Sequence, residues 1–263
     1  MTALALGRAE TAYNRVPQVT PDFWLIKLMA VTVGETAADY MNLDLELGLV
    51  KTAWILSALL AVALTVQFAQ KRYVPWSYWV SVVLISIVGT LITDNLEKMG
   101  VSFATSTVLF SLLLAITFGI WYAFERTLSI HTIYTTRREI FYWLAILFTF
   151  ALGTAAGDLG AEVIGLGFLY TGLFFGAIIA LIAVGYYVGF LDGILAFWLA
   201  YILTRPLGAC FGDFLSQGQK YGGLGFGTVY TSYIFIGVIA AVVIYMTMSR
   251  GGEERAPQTP QEA

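Results

Sequence analysis

Four aspartates, Asp39, Asp94, Asp158 and Asp213, each stand fifteen residues after a tryptophan, and a glycine falls ten residues after the same tryptophan. The sets are Trp24 with Gly34, Trp79 with Gly89, Trp143 with Gly153 and Trp198 with Gly208, and they align without a gap. Carboxylates set in apolar sequence bind a cation, take up a proton or are matched by donors, so four at one register are the strongest chemical signal in the chain. At about 100° per residue on a helix, with the tryptophan at zero, the glycine falls near about −80° and the aspartate near about +60°, on one side of the cylinder. Between them in angle, eleven residues after the tryptophan, are Glu35, Thr90, Thr154 and Ala209. Four residues after each glycine comes Ala38, Thr93, Gly157 or Gly212, a small-xxx-small pair that lets helices in a membrane approach closely.

Two cations share that side. Lys27, three after its tryptophan, projects at about −60°, and Arg205, seven after its own, at about −20°. Lys27 is near enough to a helix end to snorkel to the interface, its bland reading. Arg205 sits mid-helix before Pro206, which removes a backbone donor and frees a carbonyl one turn earlier. A charge at that depth costs at least ~2.5 kcal/mol unless paired or hydrated. Glu35, from a neighbouring repeat, is the expected partner. Asn95 and Glu162 complete the polar candidates. The bland reading of the aspartates is that they end helices near a membrane surface and hydrogen-bond neighbouring backbone.

The elements that must position these groups follow from composition. Apolar residues make up 59% of the chain, charged residues 12%, and the mean hydropathy is +0.78. Ordinary soluble domains are about one quarter charged, so this reads as a polytopic membrane protein. The expected fold is all-α, with eight transmembrane helices over about 22–42, 51–70, 75–97, 103–124, 138–162, 167–189, 192–216 and 226–249, each near the roughly 20 residues a bilayer requires. They form four parallel two-helix repeats, 21–74, 75–137, 138–190 and 191–249, between a tail at 1–20 and a disordered tail at 250–263. Every Trp-Gly-Asp helix then crosses in the same direction.

Arg8, Arg15, Lys71, Arg72, Arg126, Arg137, Arg138, Arg250 and Arg255 fall on one side, against Lys51, Lys98 and Lys220 on the other, which places both termini in the cytoplasm. The tryptophans would mark the inner interface. Fifteen helical residues rise about 22 Å, bringing the aspartates towards the outer surface.

Other chemistry is weakly represented. His131 lies alone in an Arg-rich loop and cannot supply paired haem ligands. Cys210, the single cysteine, reads as a small core residue. No phosphate-binding glycine loop, HExxH or GxSxG occurs, so an enzyme is the least expected class. The net charge of −3 gives no reason to expect nucleic acid.

Four tandem two-span repeats with a Trp in the first helix and a Gly-Thr-xxx-Asp or Gly-Glu-Thr-xx-Asp stretch resemble a family of bacterial integral membrane proteins described as repeats of unknown function and as uncharacterised membrane-anchored proteins. The resemblance covers about 21–249, and the fourth copy departs most, with Gly208-Ala209-Cys210. It implies a multi-pass protein of the bacterial inner membrane and brings no substrate.

Function is therefore argued from the residues. The expectation is a cation transporter, most simply for a divalent metal such as manganese, with export as the expected direction. Asp39, Asp94, Asp158, Asp213 and Glu35 would be ligands or proton acceptors, and Thr90, Thr154 and Asn95 oxygen donors. Oxygen donors suit Mn²⁺ or Mg²⁺ as the transported ion, with no covalently bound cofactor expected. The alternatives are a proton-coupled carrier of a small organic solute, with Arg205 binding an anionic group, and a non-transporting scaffold or sensor. The expected partners are the lipid bilayer and the inorganic cation or solute, and an oligomer is possible.

Overall fold

The computed structural model describes residues 13–45 and 47–250. Arg8, Arg255 and residues 251–263 of the tail expected at 250–263 lie outside the described residues, and Arg250 belongs to the last helix instead. The chain forms eight long helices: α1 (Pro21–Asp39), α2 (Leu49–Ala69), α3 (Pro75–Lys98), α4 (Phe103–Glu125), α5 (Thr136–Asp158), α6 (Gly167–Tyr187), α7 (Gly193–Ser216) and α8 (Thr228–Arg250). There is no strand among the described residues.

Local chemistry starts the four helices that carry the Trp-Gly-Asp pattern. Thr20 caps α1 ahead of Pro21, Pro75 opens α3, the Thr135 hydroxyl accepts from Arg138 N, and Asp192 Oδ2 accepts from Ile194 N and Leu195 N. Seven of the eight helices are long and apolar enough to cross a membrane. The exception is α1, whose 19 residues include Asp22, Lys27, Glu35 and Asp39. These polar groups are compensated by position: Lys27 and Glu35 are both buried in protein.

Helices α1, α3, α5 and α7 close into a parallel ring, α1 against α3, α3 against α5, α5 against α7, and α7 back against α1. The other four lie outside it. Each packs principally on the first helix of the following repeat: α2 on α3, α4 on α5, α6 on α7, and α8 on α1. The most apolar stretches of α3, α5 and α7 are 72%, 61% and 50% buried, whereas those of α2, α4, α6 and α8 are 17%, 28%, 11% and 28% buried. The outer helices therefore keep most of their apolar surface for lipid.

The repeating glycines set how close the ring helices come. A Cβ built on Gly34 would lie 2.6 Å from Ser86 Cβ, on Gly89 2.7 Å from Phe150 Cβ, on Gly153 2.5 Å from Arg205 Cβ, and on Gly208 2.9 Å from Val31 Cβ. Ser86, Phe150, Arg205 and Val31 each stand seven residues after the tryptophan of the adjoining repeat. One contact is thus made four times around the ring. Polar bonds run beside it: Thr93 Oγ1 donates to Ala151 O at 3.0 Å, and Thr32 Oγ1 donates to Gly208 O at 3.2 Å.

Two expectations need correction here. Trp79, Trp143 and Trp198 are buried within the protein rather than spread along a lipid interface. Their indole N–H groups donate to Tyr73 Oη, Glu139 Oε1 and Leu128 O. They pack around an aromatic layer formed by the residue before each tryptophan, Phe23, Tyr78, Tyr142 and Phe197, which fills the N-terminal end of the ring. Aromatic bodies with one polar atom serve inside a bundle as well as at an interface when that atom has a partner.

The second correction concerns residues 13–20, which are not a plain tail. Val16 is buried. Asn14 bonds Ile130 O and Ile133 N, and Arg15 pairs with the fully buried Glu139 at 2.8 Å. Glu139 also accepts from Gln67 Nε2 at 3.1 Å, so this segment ties α2 and α5 together at the N-terminal end of the ring.

Gly89→Ala is expected to lower thermal stability in detergent by the equivalent of about 1–3 kcal/mol, because the new methyl meets Phe150 and the backbone N of Ala151. Gly119→Ala in α4, where a Cβ meets nothing within 4 Å, is expected to be neutral or slightly stabilising. Equal losses in the two variants would remove the close-approach argument.

Candidate functional site

The stripe that faces the ring axis can be followed in steps of four residues along each inner helix. Counting from the tryptophan, position three holds Lys27, Val82, Ile146 and Tyr201; position seven holds Val31, Ser86, Phe150 and Arg205; position eleven holds Glu35, Thr90, Thr154 and Ala209; and position fifteen holds the aspartates. An i, i+4 row runs almost parallel to a helix axis, so the four rows meet as successive layers when the helices are parallel and in register.

The middle of the ring is an ion pair enclosed by hydroxyls. Arg205 Nη2 lies 3.0 Å from Glu35 Oε2 and donates to Thr154 Oγ1 at 2.8 Å and to Thr90 Oγ1. The Thr90 hydroxyl reaches Glu35 Oε2 at 3.3 Å. Glu35, Thr90, Thr154 and Arg205 come from α1, α3, α5 and α7, and all four are buried. The pairing expected from sequence is therefore present, and it links all four ring helices at one point. Arg205 arrives at this level from one turn lower, over the cleft left by Gly153 and beside Pro206. Its Nε and Nη1 have no hydrogen-bond partner among the described residues.

One turn beyond, the aspartates surround the C-terminal mouth of the ring. Asp213 is buried, and Asp39, Asp94 and Asp158 are half-buried. Asp39 accepts from Gln217 Nε2 at 3.1 Å. Asp94, Asp158 and Asp213 take no side-chain hydrogen bond or ion pair among the described residues, yet none of their oxygens is sealed off.

The carboxylates act on one another electrostatically. Asp94 feels Glu35 and Asp39, Asp158 feels Glu35 and Asp94, and Asp213 feels Glu35, Asp39 and Asp158. They encircle the mouth without converging: among the described residues no three of His, Cys, Asp or Glu are grouped closely enough to hold a metal ion.

In two opposite ring helices the chain leaves α geometry at this level. Asp39 is followed by a π-helical turn, Tyr40–Asp44, and Asp158 by another, Leu159–Val163. After Asp94 and Asp213 the α-helix simply continues. Such turns alter the carbonyl pattern next to the two aspartates and widen the helix there.

Three further candidates sit differently from expectation. Lys27 does not snorkel: it is fully buried, donating to Thr204 Oγ1 at 3.1 Å and Tyr201 O at 3.4 Å, with Nζ 3.9 Å from the centre of the Tyr201 ring. The snorkelling reading fails because position three of the stripe faces inwards. Asn95, sixteen after its tryptophan, is turned to the α2 side, where Nδ2 donates to Leu91 O at 2.6 Å and Leu49 O at 3.4 Å, so it joins helices and is no oxygen donor to the site. Glu162 is exposed within the second π turn, within electrostatic range of Glu35 and Glu97.

Sequence reading missed Thr204, Phe150 and the Tyr78–Tyr142 hydroxyl pair, 2.5 Å apart. Extending the four-residue step back from each aspartate would have found most of them.

Glu35→Gln leaves Arg205 buried opposite a neutral amide and is expected to cost about 3–5 kcal/mol in unfolding free energy in mixed micelles. A Glu35→Gln/Arg205→Gln double variant should recover a large part of that loss, giving a coupling energy well outside additivity. Additive losses would show that the pair is not the link between the helices.

A search of curated proteins and a search of solved structures each returned no match, so neither comparison supplies an activity. The family described as Repeat of Unknown Function (DUF347) matches four times, over residues 23–73, 77–127, 141–189 and 196–251. Each match begins within three residues of a Trp-Gly-Asp tryptophan, so the spacing read from the chain is the family's own period. The chain belongs to the DUF347 repeat family.

Proposed function

We propose that this protein is a multi-pass transporter of a cation, most simply a divalent metal such as manganese, moved in the export direction across a bacterial inner membrane. In this reading all eight helices span the bilayer as four two-helix repeats. The span α1 is shielded by its neighbours, both termini are cytoplasmic, and the aspartate mouth faces outwards.

The observation that carries the proposal is an imbalance of charge. Glu35 is matched by Arg205, whereas Asp94, Asp158 and Asp213 take no side-chain hydrogen bond or ion pair among the described residues. Carboxylates held near one another in a low-dielectric surround are stabilised by a cation or by protonation. Because they encircle the mouth rather than converge, the arrangement suits an ion that keeps part of its water shell, as Mg²⁺ and Mn²⁺ do. The donor set of carboxylate and hydroxyl oxygens points the same way. Thr90 and Thr154 hold the Arg205–Glu35 pair across the axis, where an advancing cation would compete with Arg205 for Glu35.

A second reading is a proton-coupled carrier of a small organic solute. It is favoured by Arg205 Nε and Nη1, two buried donors free to bind an anionic or carbonyl group. Stabilisation of the purified protein by an organic acid in the absence of divalent metal would favour this reading.

The transport reading is tested in proteoliposomes loaded with a metal-sensing dye. Wild type is expected to carry Mn²⁺, and an Asp94→Asn/Asp158→Asn double variant to lose at least about tenfold of the rate, the equivalent of about 1.4 kcal/mol or more in the barrier. Equal flux from the two proteins would end the proposal.

A further inference from the structure

We propose that Lys27 carries the proton that is exchanged for the transported cation. This inference rests on the cation-transport reading above and adds the coupling group to it.

Lys27 is the second cation on the ring axis, and its surroundings differ from those of Arg205. Its side chain is fully buried, and among the described residues no carboxylate lies within 4.0 Å of Nζ. Its contacts are neutral: Thr204 Oγ1 and Tyr201 O as acceptors, and the rings of Tyr201 and Phe150 at 3.9 and 4.8 Å. An ammonium held by carbonyl, hydroxyl and π faces alone is stable as a cation only while nothing else positive approaches. The group facing it that stays positive is Arg205, whose Cζ lies 5.4 Å from the same Phe150 ring.

The titratable and charged groups around Lys27 are few. From α7 come Arg205 and Tyr201; α3 and α5 present Val82 and Ile146 at the equivalent position, and α5 adds Phe150. One layer further towards the N-terminal end lie the hydroxyls of Tyr78 and Tyr142. The Tyr201 hydroxyl is buried without a partner among the described residues.

Of the two axial cations only one can give up its charge, because a guanidinium does not deprotonate in proteins and an ammonium does. When a metal ion occupies the carboxylates and draws on Glu35, positive potential rises along the axis. The system can offset that rise by losing a proton from Lys27. One Nζ–H bond breaks, the proton leaves through the aromatic layer to water beyond the N-terminal end of the ring, and the electron pair stays on nitrogen. The neutral amine then accepts a hydrogen bond from the Thr204 hydroxyl, which reverses its present role. Departure of the metal restores the need for charge, and the amine takes a proton back. Tyr78, Tyr142 and Tyr201 supply hydroxyls on the side from which water would come.

The test measures protons released when Mn²⁺ is added to the purified full-length protein in lightly buffered detergent with a pH indicator, beside Mn²⁺ binding by equilibrium dialysis. Wild type is expected to release about one proton per ion bound beyond what either variant releases. Lys27→Met has no proton to lose, and Lys27→Arg keeps a charge it cannot lose, so both should bind Mn²⁺ with that release abolished. Should Lys27→Met fail to fold, Lys27→Arg decides alone. Full proton release from either folded variant, or none from a wild type that binds Mn²⁺, overturns the Lys27 assignment and leaves cation transport standing. A wild type that neither binds nor moves Mn²⁺ overturns both.

Discussion

Everything in this protein depends on one contact made four times, the seating of a residue from one ring helix in the notch left by a glycine of the next. Ser86, Phe150, Arg205 and Val31 occupy the notches at Gly34, Gly89, Gly153 and Gly208, and a Cβ at any of the four would force its neighbour to shift. In lipid the hydrophobic effect does not draw helices together, so close van der Waals contact has to do so. Because the same contact is made at all four steps of a closed ring, no net rise can accumulate between neighbours. Positions three, seven, eleven and fifteen therefore fall at common levels. Without that contact the aspartates would not share a mouth, nor Arg205 reach Glu35.

The ring is regular in backbone and irregular in chemistry. At the eleventh position three repeats supply Glu35, Thr90 and Thr154 and the fourth supplies Ala209, a vacancy into which the guanidinium from one turn below extends. At the third position a lysine and a tyrosine face a valine and an isoleucine. A strict fourfold copy would place four like charges on the axis, which no low-dielectric interior tolerates. At positions three, seven and eleven each charged residue is used once, in a layer whose other members are neutral, and only the aspartates at the mouth keep the same charge in all four repeats. The departure of the fourth repeat from the common pattern is thus what lets the pair form.

Much of this was legible in the chain because spacing is geometry. The interval of fifteen from Trp to Asp, the glycine at ten and the small residue at fourteen translate directly into a shared helix face, and they led to parallel repeats and to Glu35 as the partner of Arg205. What stayed hidden depended on tertiary placement. Tryptophan near a helix start reads equally well as an interfacial anchor or a core residue, and only the aromatic layer of Phe23, Tyr78, Tyr142 and Phe197 decides it. Asn95 differs from Asp94 by one position, and about 100° of rotation carries it from the mouth to the α2 contact. The ordered segment around Arg15 was invisible because its partner, Glu139, looks like an ordinary first-turn acid. Nor does periodicity tell whether a returning helix packs on its own repeat or on the next.

That last feature has a bearing on biogenesis. Since each outer helix rests on the ring helix that follows it, α3, α5 and α7 are met by a covering neighbour already made when they leave the ribosome. The first ring helix is treated differently. Its cover is α8, clasped through the 2.7 Å contact between the Thr36 and Ser232 hydroxyls, and α8 is the last of the eight described helices to be synthesised. The one ring helix that falls short of the length and apolarity of a spanning helix, carrying Lys27 and Glu35, must wait through six others for its shield, so the ring is completed by joining its first repeat to its fourth and not by stepwise addition of finished repeats.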